Sequence, residues 1–170
     1  MFNRTIINDL KHWKEQKDRK PLMMLGARQV GKTSVLKRFG RECFEHCVYF
    51  SLDEEAGVCD IFRTTKNPTQ IIEQLSYLTD EPILPEKTLL VLDEIQDCPE
   101  AISSMKYFCE KTPEYAIACA GSLLGLAFGH EGFSFPVGKV DHINMYPVTF
   151  SEFLEQKDSG LYRYYKSIDS

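Results

Sequence analysis

Residues 26–33 read GARQVGKT, and the reading of this stretch decides the fold. Two glycines bracket Ala27, Arg28, Gln29 and Val30, and Lys32 and Thr33 follow the second glycine at once. The spacing G-x-x-x-x-G-K-[ST] is met at every fixed position. Gly26 and Gly31 let the backbone curl so that successive N–H groups point inward, forming a nest for an anion. Upstream, LMMLG (22–26) is short and apolar enough for a buried strand, and downstream KTSVLKRFG (32–40) has a helical pattern that Gly40 is expected to stop. The helix adds its positive dipole end to the nest. The candidate phosphate-binding residues are therefore Gly26, Ala27, Arg28, Gln29, Val30, Gly31, Lys32, Thr33 and Ser34. Lys32 is expected to reach the β- and γ-phosphates of a nucleotide, and the Thr33 hydroxyl to ligate Mg²⁺.

A Mg²⁺-nucleotide site needs a carboxylate close to the metal, usually on an apolar strand beside the loop. LLVLDEIQDCP (89–99) supplies one: four apolar residues run into Asp93 and Glu94. Asp93 is the candidate for direct or indirect contact with the Mg²⁺ that Thr33 holds, with a strand-terminal cap as the plainer alternative. Glu94, beside it, is either a structural acid or the base that orients water for in-line attack on the γ-phosphate. Asp97, just before Pro99 and Glu100, is expected to cap the next helix. The run AIACAG then ends at Ser122. That serine either senses the γ-phosphate and positions the water, or caps the helix after it. Lys32, Glu94 and Ser122 are the catalytic candidates. The D-x-x-G and N-K-x-D segments on which GTPases depend do not occur.

Further strands are expected at 47–53, 89–92 and 140–147, and further helices over 2–13, 69–78, 99–111 and from 150. Thr149 and Glu152 have capping-box spacing. Residues 54–68 read as an irregular acidic stretch. Short unbroken apolar strands alternating with helices imply an α/β fold, a parallel sheet covered on both faces. In such a sheet ligands bind at the carboxyl ends of the strands. Residues 26–33, 93–96 and 121–122 should therefore share one rim.

The net charge of −5 argues against a mainly electrostatic nucleic-acid binder. No apolar run approaches the roughly 18–20 residues of a membrane helix, so no membrane partner is expected. The six cysteines form no CxxC pair and have no histidines at zinc-ligand spacing, which fits a reducing cytoplasm. His12, His46, His130 and His142 are dispersed. Arg28, inside the loop, is a candidate contact for phosphate or a neighbouring subunit, with an exposed arginine as the plainer reading. Arg63 is a candidate mobile arginine near the site or plain surface. The aromatics of FSFP (133–136) and LYRYY (161–165) suit packing more than base stacking. A phosphotransferase would need an arginine-rich lid, and none is visible.

GARQVGKTSVL, LLVLDEIQDCP, CAGSLLGLAF and above all FPVGKVDHINMYPVTFSEFL together resemble the AAA_14 group. These are bacterial and archaeal AAA-type ATPases with a DUF4143 domain after the ATPase core. The resemblance implies a P-loop NTPase domain over 1–156, preceded by an amphipathic helix, with five parallel strands in the order 5-1-4-3-2. Residues 157–170 would begin a further C-terminal region, so the chain is expected to be an N-terminal piece. The resemblance carries ATP binding onto residues 26–33, Mg²⁺ onto Asp93 and water activation onto Glu94. The group often has arginine where Lys139 stands, and an ammonium cannot reproduce a guanidinium's bidentate contact. The implied function is Mg²⁺-dependent ATP hydrolysis driving a conformational change in the C-terminal region, weak in isolation where an arginine from elsewhere is needed. An ATP-loaded switch with little turnover is the alternative. ATP and ADP are the implied ligands, and a second copy or a client protein the implied partner.

Overall fold

Five parallel strands form one sheet in the order β2-β3-β4-β1-β5, the arrangement the resemblance implies. The computed structural model describes residues 6–122, 135–147 and 149–168. In chain order the elements are α1 (Ile6–Glu15), β1 (Leu22–Gly26), α2 (Lys32–Cys43), β2 (His46–Ser51), α3 (Ala56–Thr64) and α4 (Pro68–Ser76). There follow β3 (Thr88–Asp93), a 3-10 turn at Ile95–Asp97, α5 (Pro99–Lys111), β4 (Ala116–Ser122), β5 (Asp141–Met145), α6 (Phe150–Lys157) and α7 (Ser159–Ile168).

The unbroken apolar strands are divided by their period of two between the faces of the sheet. On one face Met23, Leu25, Leu90, Leu92, Ile117 and Cys119 meet Phe62 of α3, Ile71 and Leu75 of α4, and Met105 and Phe108 of α5. On the other, Leu22, Met24, Leu89, Val91, Ala116 and Ala118 meet Leu10 and Trp13 of α1 and Leu36 and Phe39 of α2. Phe39, Phe62 and Phe108 are fully buried, and truncating any of them to alanine should cost about 3–5 kcal/mol. Trp13 donates its indole N–H to the Lys20 carbonyl at 2.9 Å, which ties α1 to the approach to β1.

Three local expectations are corrected. Gly40 does not stop α2, which continues to Cys43. It is glycine because α2 crosses β2 too closely for a side chain: a Cβ there would collide with Cys47 Sγ and lie 2.8 Å from Cys47 Cβ. The acidic stretch 54–68 contains α3, whose Val58, Cys59, Ile61 and Phe62 face the core. Its helical spacing was hidden by the acids around it. Asp97 is not the cap of α5; that position is Cys98, without a side-chain cap, and Asp97 closes the 3-10 turn instead. The Thr149–Glu152 box is formed, with Glu152 N–H donating to Thr149 Oγ1 at 3.2 Å and Thr149 N–H to Glu152 Oε2 at 3.0 Å. Phe2, His130 and Phe133 lie outside the described residues. Among the described residues no helix is long and apolar enough to cross a membrane.

Candidate functional site

The strands end together on one rim. Gly26 of β1 is level with Ser122 of β4 and Met145 of β5, and Ser51 of β2 is level with Asp93 of β3. The three segments expected to meet on that rim do meet.

The loop leaves β1 at Gly26, whose lack of a side chain serves its neighbour: a Cβ would strike the Met145 carbonyl oxygen. Gly31 carries the turn itself, at φ 94°, with Gln29 also left-handed at φ 62°. The α2 helix then starts at Lys32 with no side-chain cap, so the N–H groups of its first turn face the loop without an intrahelical partner. Lys32 is only 7% exposed, and its ammonium folds back to donate to the carbonyls of Gly26 (3.1 Å) and Ala27 (2.7 Å). Burial pulls its pKa below the ordinary lysine value. The carboxylates of Glu94 and then Asp93 oppose that shift, and Arg28 adds to it. Arg28 itself, like Ala27 and Gln29, is exposed at the tip of the loop.

Asp93 is 3% exposed, and its carboxylate is held on both oxygens. Oδ2 accepts the Thr33 hydroxyl at 2.5 Å and the Tyr49 hydroxyl at 3.1 Å, while Oδ1 accepts the Glu94 N–H at 3.0 Å. Tyr49 was not foreseen. It lies on β2, two residues before Ser51, and a tyrosine in an otherwise apolar strand needs a partner for its hydroxyl. That hydroxyl stays protonated and donating: burial, helped by Asp93, pushes its pKa up to about 12. The Lys37 ammonium lies 3.4 Å from the Tyr49 ring centroid and braces the ring from α2.

Glu94 sits at φ 49°, ψ 45°, a left-handed conformation that costs a non-glycine residue of order 1–3 kcal/mol. Such strain persists only where neighbours impose it. Here the Glu94 N–H donates to Asp93 Oδ1 at 3.0 Å and the Glu94 carbonyl accepts the Asp97 N–H at 2.9 Å. The carboxylate is held separately by Gln96, whose Nε2 donates to Glu94 Oε2 at 2.5 Å and whose Oε1 accepts the Ser122 N–H at 3.2 Å. Ser122 is 5% exposed, at the end of β4. Gln96 was expected on the rim with residues 93–96 but given no role, because its partner Ser122 is far along the chain.

Lys139 and Arg63 lie elsewhere. Lys139 precedes β5, at the opposite rim of the sheet, and its ammonium pairs with Glu110 Oε1 at 3.0 Å. Arg63 is held at the surface by Asp60 (2.9 Å) and Glu100 (3.6 Å). Among the described residues no group of three or more His, Cys, Asp or Glu side chains could hold a metal ion. The Thr33 and Asp93 oxygens do suit a hard cation that takes its other ligands from phosphate and water.

Residues 18–154 match the family AAA_14, described as an AAA domain. A comparison with curated proteins finds no match. Among solved structures, DnaA of Aquifex aeolicus bound to AMPPCP superposes with a TM-score of 0.54 at 16% identity, over 95% of this chain and 51% of that one. The Drosophila ORC bound to DNA gives 0.55 at 13%, over 88% and 48%, and PCH-2 of C. elegans gives 0.52 at 13%, over 96% and 49%. The chain thus spans about half the length of these structures, and the likeness is one of fold. With the parallel sheet in the order β2-β3-β4-β1-β5 and the match across residues 18–154, the chain belongs to the AAA_14 family of AAA domains.

Proposed function

We propose that this domain binds ATP with Mg²⁺ in the loop 26–34 and hydrolyses it to ADP and phosphate. The observation that carries the reading is the 2.5 Å contact between Thr33 Oγ1 and Asp93 Oδ2. It joins the loop to the strand-end carboxylate where a metal between protein and phosphates would find a protein oxygen on each side. Mg²⁺ bound there would neutralise charge building on the β- and γ-phosphates. The loop N–H groups and the dipole of α2 hold the phosphates. Lys32, released from the Gly26 and Ala27 carbonyls, moves its ammonium onto the β- and γ-oxygens. Glu94 accepts a proton from water as the water oxygen bonds to the γ-phosphorus and the bond to the ADP oxygen breaks. Ser122 stands beside that water at the end of β4.

AAA membership and the AMPPCP bound by the structurally similar DnaA support a nucleotide ligand. The net charge of −5 favours a protein client or a second copy over nucleic acid as the partner that uses the energy. Phosphate release with Mg²⁺-ATP, comparing the wild type with Glu94→Gln, tests the reading. Turnover that falls by about 10²–10⁴-fold in the variant supports it. Nucleotide binding without turnover in the wild type would make the domain an ATP-loaded switch instead.

A further inference from the structure

The mechanism above uses Glu94 and Ser122 but leaves the side chain between them unexplained. Gln96 is half-buried in the 3-10 turn that follows β3, and its carboxamide reaches in two directions. The nitrogen donates to Glu94 Oε2 at 2.5 Å and the oxygen accepts the Ser122 N–H at 3.2 Å. A second contact from Nε2 to Asp97 Oδ2 is longer, at 3.2 Å.

A carboxamide is the group that can do this, because it carries a donor and an acceptor on one rigid plane. A carboxylate would lose the donor, and a shorter asparagine would not span the gap. Glu94, at φ 49°, is held in a left-handed conformation it does not favour. Its carboxylate nonetheless stays near Lys32, where it is the largest of the charges raising that lysine's pKa. The side chain is thus kept towards the phosphate end of the site by a bond from Gln96, and Gln96 in turn is anchored on the last residue of β4.

We propose that Gln96 is a positioning residue that couples the Glu94 carboxylate to the end of β4. A shift of Ser122, such as one on gain or loss of the γ-phosphate, moves the carboxamide and with it the carboxylate. Turnover thereby depends on what occupies the far end of the loop. This inference rests on the hydrolase reading for its consequence in turnover, while the coupling itself can be observed without turnover.

The coupling is read by the Ser122 amide cross-peak in ¹H–¹⁵N correlation spectra of the whole chain. Glu94→Ala should shift that peak in the wild-type background and leave it in place in a Gln96→Ala background. A Ser122 peak that ignores Glu94→Ala in the wild-type background overturns the proposal, whatever the state of hydrolysis. In steady-state assays Gln96→Ala should lower kcat by up to about 100-fold while KM stays within about threefold. Gln96→Glu, which keeps the length and the acceptor but loses the donor, should lower kcat likewise, and it decides the matter if the alanine variant does not fold. Wild-type kcat in the folded variants overturns the proposal. Absence of turnover in the wild type ends the hydrolase reading alone, and the Ser122 peak then judges the coupling.

Discussion

Thr33 and Asp93, sixty residues apart in the chain, share a hydrogen bond of 2.5 Å between Oγ1 and Oδ2. One belongs to the first turn of α2 and the other ends β3, so the bond closes the loop over the sheet at the position expected of a metal. Thr33→Ala removes the hydroxyl from both tasks. Calorimetric titration should find that the variant binds ATP about equally with and without Mg²⁺. An undiminished preference for Mg²⁺-ATP would separate Thr33 from the metal.

Tyr49 holds the same carboxylate from β2 at 3.1 Å. Tyr49→Phe keeps the ring and its Lys37 contact while deleting one hydrogen bond to a buried charged group, a loss of about 1.5–3 kcal/mol. Chemical denaturation should show that loss in the free protein. A variant as stable as the wild type would mean that the hydroxyl is satisfied as well by water.

Lys32 carries a buried charge at a cost to stability. Its pKa in the folded chain lies below the unfolded value because burial disfavours the charge. The resulting cost to stability is fully present below the folded pKa and is relieved as pH rises through it towards the unfolded value. Lys32→Met removes the buried charge and keeps the length of the side chain. The variant without nucleotide should melt above the wild type at neutral pH, and the difference should shrink in alkaline buffer. A variant that melts below the wild type at both pH values would show that the two carbonyl contacts outweigh the burial.

Gly26 and Gly40 answer to packing rather than to turn geometry, since a Cβ at either would run into a neighbouring strand. Gly26→Ala meets backbone, the Met145 carbonyl, which cannot rotate away. Overpacking of this kind costs about 1–3 kcal/mol, which thermal melting should register. Gly40→Ala gains about 0.5–1 kcal/mol of helix propensity and loses more against Cys47. Net stabilisation at Gly40 would contradict the close crossing of α2 over β2.

The glycine-bracketed loop between β1 and α2, the acid pair at the end of β3 and the strand–helix alternation were legible in the sequence because each is local. The loop is fixed by spacing over residues 26–33, and the strands by unbroken apolar runs. What stayed hidden depends on contacts between distant segments. Gly40 looks like a helix stop until β2 is seen passing against it. Tyr49 looks like an ordinary strand aromatic until Asp93 is found at its hydroxyl. Gln96 has no local pattern at all, because its meaning lies in Ser122, 26 residues further on. Asp97 failed for a local reason: the 3-10 turn uses up the residues before Pro99 and moves the cap of α5 to Cys98.

The central claim is that residues 26–34 form a nucleotide site whose phosphate contacts run through Lys32. Melting of the wild type and of Lys32→Ala with and without Mg²⁺-ATP tests it most directly. At a ligand concentration one hundred times Kd, the wild type should gain about 2.7 kcal/mol, a rise in Tm of roughly 5–10 °C for a domain of this size. Lys32→Ala should show almost none of that rise. An equal rise in both proteins, or none in the wild type, would contradict the account.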